Sequence, residues 1–186
     1  TMKTRPTTIP GFVCLGMLLT VTLAGCACNP PETVASVDVQ RYMGTWYEIA
    51  KYPVIFERGL VGVTAEYTLL DDGSVRVVNG GFRGSFDGAA SRIEGKATVA
   101  DPATNAKLTV QFGPIPFSLF GPNYWIIRLG ENYEYAVVSD RCRNTLWILS
   151  RTPQMDGERY NEIVAWLAES GFDTDRLELM PQPDQI

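Results

Sequence analysis

Reactive side chains are scarce in this chain, and that scarcity removes most enzyme chemistries. There is no histidine. Imidazole is the usual general base of serine and cysteine hydrolases and the commonest transition-metal ligand, so Ser-His-Asp and Cys-His catalysis are excluded and the case for a metal is weak. Of the four cysteines, Cys14, Cys26, Cys28 and Cys142, Cys142 is the one conceivable nucleophile, and it has no imidazole to activate it. The run Gly80-Gly81-Phe82-Arg83-Gly84 lacks the Gly-Lys-Ser/Thr ending and the following helix of a phosphate loop, and it reads as strand bends and a hairpin. The formal charge is -5. Removing Lys3 and Arg5, the only charges before Cys26, takes it from -5 to -7, and an acidic body without a basic run offers nothing to nucleic acid. No catalytic residue, cofactor or metal ligand is assigned.

Function must then come from what the chain can enclose. Gly44-Thr45-Trp46-Tyr47-Glu48-Ile49-Ala50 describes a strand leaving a tight turn, with one aromatic placed to plug the end of a barrel. It follows a helical turn at 38–43 and opens a series of strand-like segments at 46–51, 61–70, 74–83, 91–99, 106–112, 123–129, 133–139 and 145–151. Asp71-Asp72-Gly73 supplies a hairpin turn, and the irregular stretch 52–59 forms a long first loop. Positions 113–122 form a loop with Ile115, Phe117, Leu119 and Phe120 and no charge, which must cover the barrel mouth or touch a partner, a ligand or lipid. After Pro153, Tyr160, Ile163, Val164 and Leu167 recur at helical spacing up to a stop at Gly171. The stripe predicts a helix packed on the outside of the barrel, followed by a short ninth strand at 176–180.

The N-terminal stretch reads as an address. Lys3 and Arg5 precede an apolar run from Gly11 to Val21 that is too short to span a bilayer comfortably, as in a secretory signal; a signal anchor is the alternative. Leu23-Ala24-Gly25-Cys26 is similar to the lipobox of bacterial lipoproteins. That resemblance implies cleavage before Cys26, acyl chains on its thiol and new amino group, and a permanent membrane anchor. Ala27 in place of the retaining Asp implies the outer membrane. The chain divides into a leader (1–25), an acylated cysteine with a proline-stiffened tether (26–37) and a folded domain (38–186).

In order and spacing, from Gly44-Thr45-Trp46 through Leu146-Trp147-Ile148-Leu149-Ser150-Arg151 to a single helix, the chain resembles the lipocalins, most closely the bacterial outer-membrane and apolipoprotein D-like members. The resemblance implies an all-β fold, an eight-stranded antiparallel up-and-down barrel with the helix outside. It implies a barrel that binds, stores or transports a small hydrophobic ligand, such as a fatty acid or lysophospholipid, in the service of the cell envelope. Matched to the family, the inward positions are Ala65, Tyr67, Val77, Asn79, Arg83, Val110, Phe112, Tyr124, Ile126, Trp147 and Leu149. Of these, Tyr67, Asn79, Arg83, Phe112, Tyr124 and Trp147 are expected to meet the ligand, Arg83 through its headgroup; a solvated arginine on the rim is the alternative. Trp46 and Arg151 are expected to close the narrow end through a cation–ring contact, and Tyr47 and Glu48 to be structural. With Cys14 lost and Cys26 acylated, Cys28 and Cys142 are expected to pair, as the family also implies; two free thiols is the alternative. A lipid-modifying enzyme on the same barrel, or an interaction protein that uses the apolar 113–122 loop for homodimerisation or membrane contact, are the rival readings.

Overall fold

The computed structural model describes Thr1 and residues 28–113 and 121–183. The leader, Cys26 and most of the apolar 113–122 loop, and with them the anchor and dimer expectations, lie outside the described residues.

Alternation becomes a closed sheet. The strands are β1 (Gly44–Lys51), β2 (Leu60–Leu69), β3 (Val75–Arg83), β4 (Ala90–Val99), β5 (Lys107–Phe112), β6 (Tyr124–Leu129), β7 (Tyr135–Ser139) and β8 (Leu146–Ser150). Each pairs antiparallel with the next, and β1 joins β8 to β2. The bounds fall within two residues of those expected. The seventh strand starts latest, because Tyr133 adopts a φ of 62° inside the preceding turn.

β1 organises the rest. Its first half pairs with β2, Trp46 opposite Ala65, and its second half with β8, Glu48 opposite Leu149. The register slips between Glu48 and Ala50. Trp46 and Glu48 therefore face inward while Ile49 and Ala50 join the outer apolar layer. The expected short ninth strand, β9 (Glu178–Leu179), pairs with the end of β1.

Two apolar layers result. Inside the barrel, Trp46, Tyr67, Val75, Val77, Ile126 and Leu149 pack together. Outside, Trp125, Ile127, Val137 and Ile148 of the wall meet Ile163 and Leu167 of α2 (Gly157–Glu169). Both helix residues are fully buried, worth roughly 1.5–3 kcal/mol each. Asp156 caps α2 by accepting from the Glu158 and Arg159 amides at 3.0 and 3.1 Å. Gly171, at φ 82°, ends the helix region.

The barrel has two unlike ends. The helix α1 (Val39–Tyr42) crosses the narrow one, where the β2–β3, β4–β5 and β6–β7 turns also lie. The first loop, with a 3-10 turn at Ile55–Glu57, the β3–β4 loop and the β7–β8 turn ring the open end. Residues 28–37, expected as a short extended tether, run along the wall of the barrel. Cys28 is joined by a disulfide to Cys142 in the β7–β8 turn. Farther along, the Val34 amide donates to the Ile126 carbonyl (3.0 Å) and the Val37 amide to that of Thr104 (2.7 Å). The prolines keep the segment extended, and its free amides find acceptors on the barrel.

Candidate functional site

The floor of the barrel is built on Trp46, which is completely buried. Its indole N–H donates to the Tyr42 carbonyl at 2.9 Å. The Arg151 guanidinium covers the ring from outside, 3.8 Å from its centroid. Arg151 is fixed there by donating to the carbonyls of Thr45 (3.0 Å), Arg41 (2.8 Å) and Tyr133 (3.3 Å). One planar cation thus ties α1, β1 and the β6–β7 turn together. Gly44, beside the guanidinium, has a φ of 91°, where a side chain would be strained.

Three phenols lie above the indole. Tyr124 hydroxyl bonds to those of Tyr42 (2.8 Å) and Tyr67 (3.0 Å). Burial raises all three phenol pKa values, that of Tyr67 to about 12. They stay neutral at any physiological pH. Three hydroxyl protons and two mutual bonds leave one donor for an acceptor above.

Above the phenols opens a cavity of about 670 Å³, within the roughly 300–1,000 Å³ range of small-molecule sites. Five of the six expected contact residues line it: Tyr67, Asn79, Phe112, Tyr124 and Trp147. So do Ala65, Val77, Val110 and Leu149, whereas Ile126 is wholly buried in the packed floor. Phe112 owes its place to Gly95 opposite, where a Cβ would come within 2.6 Å of its ring. Arg83 departs from expectation. It shares the parity of Asn79, but β3 outruns the cavity, so Arg83 is exposed at the strand end as the rim arginine of the alternative reading. The basic residue in the lining is Arg92 of β4.

Three acids that sequence reasoning did not place in the site also line the cavity: Asp140 of the β7–β8 turn, and the neighbouring pair Glu48 and Glu57. Glu48 shares the inward parity of Trp46 and was legible from it. Glu57 enters from the 3-10 turn of the first loop, where no alternation signals direction. Burial raises both carboxyl pKa values. Their repulsion adds to the effect at Glu48, and Lys51 opposes it at both. The two carboxyls therefore titrate together, and the pair retains protons above the ordinary carboxylate range.

Cys142 is consumed by its bond to Cys28, which closes the thiol route to an enzyme. A closed eight-stranded sheet with a sealed floor, an apolar interior and an external helix defines a binding barrel. The chain belongs to the lipocalin family: residues 37–182 match the model of the lipocalin-like domain. It is 41% identical over 163 residues to outer membrane lipoprotein Blc of Escherichia coli, covering 84% of this chain and 89% of that one. Temperature-induced lipocalin-1 of Arabidopsis thaliana is 40% identical over 158 residues, 82% of this chain and 83% of that one. Among solved structures, the cockroach allergen Per a 4 superposes with a TM-score of 0.62 at 20% identity, over 84% of this chain and 96% of that one. That likeness concerns the fold alone.

Proposed function

We propose that the protein is a lipid-anchored carrier that holds one small hydrophobic ligand, such as a fatty acid or lysophospholipid, inside its barrel at the bacterial outer membrane. The cavity carries this reading: about 670 Å³ walled mainly by Val77, Val110, Phe112, Trp147 and Leu149, with a floor of neutral phenols. Apolar walls reward an aliphatic tail by about 25 cal/mol per Å² removed from water. The relatives named as outer membrane lipoproteins support the location, and so does the lipobox ending at Cys26.

The disulfide supports an orientation. It fixes Cys28 to the β7–β8 turn at the open end, so an acyl anchor on Cys26, two residues earlier, brings the mouth toward the bilayer. Ile55 and Phe56, 94% and 69% exposed on the first loop, lie on the same rim. A ligand would then pass between membrane and barrel, serving storage or transport in the envelope.

Native mass spectrometry of protein taken from its own membrane tests the proposal. One lipid per barrel together with acyl chains on Cys26 is expected. Protein that is unacylated and carries no lipid would refute it.

A further inference from the structure

The interior holds polar groups that an apolar tail leaves unused. Glu48 rises from β1 one inward position above Trp46, and Glu57 descends from the first loop; they are only 3% and 6% exposed. Glu48 Oε1 and Glu57 Oε2 are buried without a hydrogen-bond partner, and Asn79 Oδ1 on β3 is a third such acceptor. All three residues line the one cavity. A buried acceptor left unsatisfied is costly, so three around one space mark a place made for a donor.

The surrounding groups leave these three oxygens unpartnered. Lys51, also on β1, donates to Glu178 of β9 at 3.5 Å. Arg92 of β4 is mostly exposed and lies 4.0 Å from Glu94. Asp140 of the β7–β8 turn accepts from the amides of Cys142, Asn144 and Thr145 and from the Thr145 hydroxyl. Tyr67 of β2 is bonded to Tyr124 of β6, and the three phenols together keep a single spare donor for three acceptors.

We propose that Glu48, Glu57 and Asn79 form a headgroup site for a primary ammonium carried on a single aliphatic chain. This deepens the carrier reading and rests on it. An ammonium brings three donors and no acceptor, matching three acceptor oxygens, and its charge offsets that of the acids. A carboxylate headgroup would add a third negative group and no donor.

Protonation gives the site a signature. The buried pair retains protons above the ordinary carboxylate range, and an entering cation must expel them. Ammonium binding therefore strengthens as pH rises through the pair's raised range, and carboxylate binding weakens. An alkylammonium keeps its charge throughout, since amines of this kind titrate near pH ~10.

Competition decides it. Dodecylammonium, dodecanol and dodecanoate displace a fluorescent apolar probe from the protein in a series of buffers from mildly acidic to alkaline, and the lowest and highest pH values are compared. At the higher pH the ammonium is expected to bind about tenfold or more tighter than the alcohol, the worth of one charge-assisted bond. That preference should shrink at the lower pH and vanish in Glu48→Gln/Glu57→Gln, whose folding is checked by thermal melting. Dodecanoate should show the opposite pH trend. Equal affinity for amine and alcohol at both pH values, or a preference that survives the double substitution, overturns the headgroup site while leaving the carrier intact. Failure of all three molecules to displace the probe overturns both.

Discussion

Replacing Arg151 is the sharpest test of how the floor is held. Its guanidinium lies 3.8 Å from the Trp46 centroid and donates to three carbonyls at 2.8–3.3 Å. The stacked cation contributes about 1 kcal/mol at a half-exposed site. Three charge-assisted bonds, discounted for solvent, contribute about 2–3 kcal/mol together. Arg151→Met keeps the aliphatic stem and loses both terms, for a destabilisation of about 3–4 kcal/mol, or a fall in Tm of roughly 10 °C in a domain of this size. Arg151→Lys keeps the charge and one or two bonds but not the planar fork, and should cost about half as much. Urea denaturation followed by tryptophan fluorescence measures both. A loss below about 1 kcal/mol for Met, or identical losses for Met and Lys, would refute the assignment of Arg151 as the clasp of the floor.

Three further outcomes follow from the same geometry. Because the folded pKa of Glu48 lies above its ordinary 4.5, the native state holds more protons than the unfolded chain above that value, and stability falls as pH rises through the raised range; Glu48→Gln should flatten that slope in denaturation curves taken at several pH values. Cys142→Ser opens a link spanning 114 residues, which should cost roughly 2–5 kcal/mol, and should expose the amides of Val34 and Val37 to faster hydrogen exchange. Val77→Trp, on the cavity wall, should fill the space with its indole and weaken uptake of an aliphatic probe by about tenfold or more, with the melting transition still cooperative.

The barrel was legible because alternation fixes direction wherever a strand is regular. Val75, Val77 and Asn79 share one parity and one face, and the inward Trp46 announces the floor. Legibility failed where that rule stops. Arg83 keeps the parity of Asn79, yet the strand passes the end of the cavity, and nothing in a repeat of two marks where the enclosed space ends. Glu57 sits on a 3-10 turn, so its inward course depends on how the first loop folds over β1 and β8. Glu48 was readable as inward but looked structural, since its significance lies in a partner from that loop. The docking of residues 28–37 was hidden for a related reason: two prolines establish an extended chain but not the carbonyls that it meets.

The claim beneath all of this is that the interior accepts an aliphatic chain. Calorimetric titration with octanol, decanol and dodecanol tests it with neutral headgroups. One molecule should bind per barrel, with a gain of up to about 0.8 kcal/mol for each methylene buried and a negative heat-capacity change. Affinity that stays flat with chain length, or no saturable binding, would contradict it.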